Sequence, residues 1–283
     1  LYSEKMRDEG YSPKISIITV SYNAQATIGR AIESVLCQSY KNLEYIVIDG
    51  ASTDQTTAVL DRYSQEICMI MSEPDHGIYD AMNKGIRHAT GDYVYFLGAD
   101  DWLCNSEVMC TVSDFIAAHP GYSFYMGNVL LYQNVYRLVK RKRAPRSMDD
   151  MKRGEMCPHQ GLLVSRRLMQ EGFNTEYRIA ADYEFFLRNI MGGASYCIMD
   201  VDVAYYSVFG VSSGSDLYDE YIAVIQKYIG EEYLNRIHEI QKKDTDKNCL
   251  RNLIKRLLVT FMGERFFLRI LGWKRDDDES QRG

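Results

Sequence analysis

Within the first hundred residues, four short apolar runs alternate with stretches of helical periodicity, and three of those runs stop at polar or acidic turns. Residues 15–20 (Ile-Ser-Ile-Ile-Thr-Val) end at Ser21-Tyr22-Asn23. Residues 43–48 end at Asp49-Gly50, residues 67–71 form a third run, and residues 93–97 lead into Gly98-Ala99-Asp100-Asp101. Runs this short and β-branched read as buried strands. Between them Ile28, Ala31, Ile32, Val35 and Leu36 recur at helical spacing. Ser52 or Thr53 suits the cap of a second helix carrying Val59 and Leu60, and residues 78–89 place Met82, Ile86 and Ala89 on one face. Strand–helix alternation of this length implies parallel βαβ units and an α/β sheet. The carboxyl ends of such strands share one rim, where open α/β sheets bind their ligands. Asp49, Asp100 and Asp101 therefore converge there. Paired carboxylates suit a hard divalent cation, and such a cation suits a diphosphate, which points to a nucleotide-linked substrate.

After residue 105 the alternation is less regular. Residues 124–131 and 161–165 read as strands, and 182–191 as a helix. The basic segment 137–146, with Pro145, reads as a loop, and from about residue 217 the pattern is mainly helical. The expected organisation is a tail over 1–12, an α/β domain over 13–215 and a helical extension over 216–283. With 46% hydrophobic and 25% charged residues the chain is globular, and a net charge of -6 argues against a nucleic-acid partner. Seven cysteines without a C-x-x-C pair fit free thiols in a reducing cytosol, not a zinc site or a disulfide framework. No apolar run is long enough to span a bilayer, and residues 1–13 lack the apolar core of a signal peptide. Residues 250–275 combine an apolar stripe with seven basic residues against one acid, Glu264. Such a helix suits an anionic membrane surface, or packs on its own domain. The expected location is cytoplasmic, peripheral on the inner face of the cytoplasmic membrane.

Taken as an ordered set, these motifs resemble family 2 glycosyltransferases of GT-A fold, of the kind that assembles bacterial polysaccharides. Residues 17–23 resemble the first strand and turn of that family, and Ile48-Asp-Gly-Ala-Ser-Thr-Asp54 its nucleotide-base segment. Asp80-Ala-Met-Asn-Lys-Gly85 resembles the helix beside the donor, Gly98-Ala-Asp-Asp101 the metal-binding D-x-D, and Ala181-Asp182 with Glu184 the segment that supplies the base. The resemblance spans about residues 13–210 and implies a GT-A sheet, mostly parallel, flanked by helices. Two positions depart from the pattern: Gly98 stands where D-x-D has its first acid, and Ala181 where an acid often precedes the base.

The resemblance implies an inverting transferase that uses Mn2+ or Mg2+ to move a sugar from a nucleotide-sugar donor to a hydroxyl of a glycan or lipid-linked acceptor. Asp101 is the expected metal ligand, with Asp100 on the ribose or sharing the metal, although Asp100 also suits the cap of a helix starting at Trp102. Asp49 would accept an N–H from the base, beside the turn after Val20 with Tyr22; it also suits a plain Asp-Gly turn. Asn83 and Lys84 would position the diphosphate-sugar. Asp182 is the expected base, with Glu184 competing, though Asp is favoured at a helix N-terminus in any case. His159 and Gln160 would line the acceptor or diphosphate pocket. A nucleotidyltransferase and a non-catalytic sugar-nucleotide-binding protein are the alternatives, the first weakened because no Gly-rich basic loop follows the first strand. The chain also lacks the phosphate-loop, dinucleotide and nucleophile-elbow motifs.

Overall fold

The computed structural model describes residues 11–135, 137–152, 157–208, 216–230 and 274–276. Strand β1 (Ile15–Ser21) pairs in parallel with β2 (Leu43–Asp49), from Ile15↔Leu43 to Ser21↔Asp49, so both end at the same height. β3 (Met69–Ser72) adds in parallel outside β2, and β4 (Tyr93–Phe96) in parallel on the far side of β1. The crossovers are α1 (Ile28–Leu36), α2 (Thr56–Arg62) and α3 (Ile78–His88). The apolar face of α1 and Leu60 of α2 share one core layer with Ile15, Ile17 and Val47. Met82 and Ile86 of α3 meet Ile18, Ile46 and Ile48 on the opposite face. Covered on both sides, these strands carry almost unbroken apolar sequence.

Beyond β4 the sheet becomes antiparallel. β8 (Leu162–Ser165) lies beside β4, β6 (Phe124–Gln133) beside β8, and β7 (Leu138–Lys142) beside β6, with β10 (Lys274–Arg275) outermost. β6 also pairs in parallel with β9 (Tyr196–Ser207) across a bulge at residues 126–129. β9 in turn holds β5 (Trp102–Leu103), the two residues that follow the acidic turn. The remaining helices are α4 (Val108–Ala118), α5 (Met148–Lys152), α6 (Arg166–Met169), α7 (Ala181–Met191) and α8 (Asp216–Tyr228). Val224 and Ile225 of α8 are buried in the same core as α7.

Three local expectations change. The basic segment forms strand β7, not a loop: Leu138 is buried while Lys140, Arg141 and Lys142 are exposed, and charge on an outward face is compatible with pairing. Arg141 reaches both Asp200 (2.9 Å) and Asp202 (2.5 Å) of β9. Trp102 enters a strand instead of opening a helix. The long β9 was concealed by those same acids, which break its apolar pattern. Residues 250–273 lie outside the described residues. Among the described residues no helix is long and apolar enough to cross a membrane, and the cysteines are free.

Away from the strand carboxyl ends, Glu44 ties the start of β2 to its neighbours. It accepts hydrogen bonds from Lys14 Nζ (3.1 Å), Ser16 Oγ (2.6 Å) and both the N–H and hydroxyl of Thr90 (2.7 Å each).

Candidate active site

Parallel register delivers the ends of β1, β2 and β3 to one rim. Asp49, fully buried, ends β2 between Ser21 of β1 and Ser72 of β3. The hydroxyls of Ser21 (3.0 Å) and Ser52 donate to its Oδ1, while the Ser72 hydroxyl (2.7 Å) and the Ser52 N–H (2.9 Å) donate to Oδ2. Four donors fill the roughly four lone-pair sites of a carboxylate. Asp49 is thus a knot joining three strand ends, which corrects the expectation that it offers a free oxygen to a base.

An acid on the next loop is differently placed. Asp75, between β3 and α3, accepts the Gly77 N–H through Oδ1 (2.9 Å). Its Oδ2 lies over Gly50, 2.3 Å from where a β-carbon at that position would stand. Among the described residues Oδ2 accepts no hydrogen bond. The same point is 3.5 Å from Cδ2 of Tyr22, whose side chain is 64% exposed just past Val20. An open carboxylate oxygen and an aromatic face therefore share one corner of the rim.

Lys84 and Asn83 support this corner from behind, and neither presents itself to a ligand as expected. Buried Lys84 donates from Nζ to the Pro74 carbonyl (2.6 Å) and pairs with Glu73 (2.9 Å), bracing the loop that carries Asp75. The Asn83 amide donates to the Phe173 carbonyl (2.9 Å) and accepts the Phe173 N–H (2.8 Å), so both its ends pin a backbone.

Two strands along, about 10 Å away at ordinary strand spacing, β4 ends in the acidic turn. The turn is closed by Asp101 N–H to the Gly98 carbonyl (3.1 Å), and Arg30 donates to the Asp100 carbonyl (3.0 Å) while its guanidinium lies over Trp102. The Asp101 carboxylate is only 1% exposed. Gln160 Nε2 donates to its Oδ2 (2.7 Å) and the Ser207 N–H to its Oδ1 (2.8 Å). Gln160, itself buried, is thus a buttress for Asp101, and its own backbone carbonyl is held by the Tyr95 hydroxyl (2.8 Å). Burial, then the neighbouring Asp100, push the Asp101 carboxyl up to about 6, outweighing Ser207, Gln160 and His159. Burial also raises Asp100.

His159 opens a 3₁₀ turn (His159–Gly161), and its charge would favour the ionised form of both acids. Its Nδ1 is 3.7 Å from Oδ2 of Asp182, in the first turn of α7. The other oxygen of Asp182 accepts the Tyr183 N–H (2.8 Å) and the Tyr79 hydroxyl (3.0 Å). His159 is thus at ion-pair distance from Asp182 and near enough to the acidic turn to act on both of its carboxyls. Glu184 points elsewhere. Buried at 2% exposure, it takes the Tyr228 hydroxyl of α8 and lies 3.5 Å from Arg188. Two residues along a helix rotate a side chain by about 200°, so Glu184 and Asp182 point to opposite sides of α7.

Residues 16–169 match the family model for glycosyl transferase family 2, which is more than half of the chain. The chain belongs to that family. Family 2 relatives include a PGL/p-HBAD biosynthesis glycosyltransferase of Mycobacterium bovis, 30% identical over 217 residues, covering 75% of this chain and 83% of the relative. Among solved structures, S. aureus TarS 1-349 in complex with UDP-GlcNAc is similar with a TM-score of 0.63 at 20% identity, over 79% of this chain and 72% of that one. Full-length TarS is covered to 39%. A mannosyltransferase from Pyrobaculum calidifontis, in complex with GDP-Man and Mn2+, has a TM-score of 0.54 at 19% identity, over 84% and 70%. These likenesses show the GT-A type of α/β fold, and family 2 membership assigns the chain to sugar transfer.

Both departures from the family 2 pattern have a physical account. A β-carbon on Gly98 would stand 2.4 Å from Asp101 Oδ2 and 3.2 Å from Asp100 Oδ1. The two later acids fold back over the space that an acid at position 98 would need. Ala181 is fully buried in the core, where a carboxylate would lack water.

The acidic turn fits a divalent cation. Two desolvated carboxylates side by side, one held up to about 6, form a negative pocket that such an ion would relieve, and their oxygens suit Mg2+ or Mn2+. Among the described residues no three His, Cys, Asp or Glu side chains converge into a closed cage.

Proposed function

We propose that this family 2 enzyme is a metal-dependent, inverting hexosyltransferase. It moves a sugar from a nucleotide-sugar donor to a hydroxyl of a glycan or lipid-linked glycan during bacterial surface polysaccharide assembly. The observation that carries the proposal is Asp182 at ion-pair distance from His159, which also acts on the two acids of the turn, so an acid suited to the nucleophile stands beside acids suited to a cation. The printed ligands of its structural neighbours, UDP-GlcNAc and GDP-Man with Mn2+, support a sugar-nucleotide donor.

In this mechanism the base of the donor stacks on Tyr22 and donates an N–H to Asp75 Oδ2. Asp100 and Asp101 would hold Mn2+ or Mg2+ beside the diphosphate. When bound, the cation offsets charge on the departing oxygen, which stabilises the transition state by several kcal/mol. Asp182 takes the proton of the acceptor hydroxyl through Oδ2. The acceptor oxygen bonds to the anomeric carbon as the carbon–oxygen bond to the diphosphate breaks, and that electron pair leaves with the nucleoside diphosphate. Attack opposite the leaving group inverts the anomeric centre. Residues 13–215 hold these groups, and 216–283 form an extension whose segment 250–275 contacts an anionic membrane carrying the acceptor.

Rates of UDP or GDP release from UDP-GlcNAc, UDP-glucose and GDP-mannose, with and without Mn2+, test the proposal. Asp182→Asn should lower kcat by about 10²–10⁴-fold, the usual contribution of a general base. A rate undiminished by EDTA, or a product retaining the donor's anomeric configuration, would falsify it.

A further inference from the structure

The helix that carries the candidate base has no cap of its own. The residue before α7 is Ala180, which makes no side-chain hydrogen bond to the first turn. Glu220, on α8 and forty residues later, instead holds the three residues that lead into it. Its Oε1 accepts the Arg178 N–H (2.8 Å), and its Oε2 accepts the N–H groups of Ile179 and Ala180 (2.8 Å each). A carboxylate at a helix N-terminus is favoured by the helix dipole, and charge-assisted bonds of this kind are the strong ones.

The same segment is gripped from the other side. The Tyr79 hydroxyl, from α3, bonds the Ile179 carbonyl (2.6 Å) as well as Asp182. Tyr221, next to Glu220, stacks on Tyr183, next to Asp182, with ring centres 4.6 Å apart and planes 12° off parallel. Val224 and Ile225 fix α8 in the core. Residues 178–183 are therefore clamped between α3, which belongs to the nucleotide-binding half, and α8, which follows the family-matched region.

We propose that Glu220 is a positioning residue for the transfer reaction. It holds the backbone at 178–180 so that Asp182 stays at ion-pair distance from His159, and α8 is thereby part of the catalytic apparatus. The proposal rests on Asp182 being the base. Misplacing a reacting group by about 1 Å costs about 10²-fold in rate, so Glu220→Gln, which loses at least one of the three acceptances but keeps the shape, should lower kcat about 10- to 100-fold. The donor KM should change less than about threefold, because Glu220 touches no donor group.

The experiment uses the full chain, Mn2+ and the most active donor of the panel above, with water as acceptor. Amide exchange is read by mass spectrometry beside the rates. Support requires three results together: a fall in kcat without a matching rise in KM, faster exchange confined to residues 178–183, and partial recovery in Glu220→Asp. A Glu220→Gln enzyme with full kcat, while Asp182→Asn is slow, overturns the positioning role and leaves the base intact. An Asp182→Asn enzyme with full kcat overturns the base assignment and this proposal with it. Exchange of amides 178–180 in the wild-type protein as fast as in an unfolded peptide also overturns the clamp, whether or not the variants fold.

Discussion

Replacing Asp75 with Asn should change which nucleotides the protein holds, and by an amount the geometry sets. Oδ1 is committed to the Gly77 N–H, and Oδ2 faces the corner beside Tyr22. In the variant the amide oxygen keeps Gly77, so an NH2 replaces the open oxygen. Uracil, thymine and guanine present an N–H there, whereas cytosine and adenine present a bare ring nitrogen. A hydrogen bond to a charged group contributes about 1.5–3 kcal/mol, or about 10- to 150-fold in Kd. Asp75 is half-buried, so screening favours the lower half of that range. Isothermal titration with Mn2+ should show UDP and GDP weakened about 10- to 50-fold while CDP is unchanged or tighter. Gly50→Ala offers a second route, since its β-carbon would occupy a point 2.3 Å from Oδ2 and expel the carboxylate. Equal losses for UDP and CDP would mean that Asp75 only shapes its loop, and the assignment would be wrong.

Other consequences can be measured more simply. Burial would raise the Glu44 carboxyl, but hydrogen bonds from Ser16, Thr90 and Lys14 outweigh it and hold it at about 2. A depressed carboxylate stabilises the fold above its unfolded value, about 4.3, and that stability is lost as pH falls through about 2. After discounting for its partly exposed partners, Glu44→Gln should cost about 2 kcal/mol at neutral pH and flatten acid unfolding below pH 4, with no change in rate. Gly98→Ala, 2.4 Å from an Asp101 oxygen, should abolish the Mn2+-dependent part of the nucleotide-induced melting shift while the nucleotide alone still binds. Asn83→Ala should leave the Phe173 backbone groups unpaired, costing about 2 kcal/mol and about 4–8 °C in Tm, with no loss of rate per folded molecule.

What the sequence disclosed was governed by range. Strands β1, β2 and β4 and helices α1 and α3 announce themselves because burial on both faces writes a local apolar pattern. The common rim follows from parallel connection alone, so Asp49, Asp100 and Asp101 could be placed there without coordinates. The function of each acid could not. Asp49 takes hydroxyls from Ser21 of β1 and Ser72 of β3, 28 and 23 positions away, and Asp101 is held by Ser207, 106 positions away. Tyr79 reaches Asp182 across 103 positions, and Glu220 reaches Ala180 across 40. None of these contacts leaves a local trace. Asp75 is a nearer miss: it stands two residues before Gly77, just after the third apolar run, and only the space above Gly50 distinguishes it from an ordinary turn former. The acids of β9 and the bases of β7 misled in the opposite direction, since Arg141 meets Asp200 and Asp202 across the intervening strand β6 while each run alone reads as solvated.

Strand β10 has a topological consequence. Lys274 and Arg275 add to the free edge of β7, while Gly230 closes the end of α8 against the core. The 43 residues numbered 231–273 are therefore tethered to the same body at both ends. A lipid surface engaged by this stretch would hold the enzyme by a handle with two fixings, restricting its tilt as well as its distance from the bilayer.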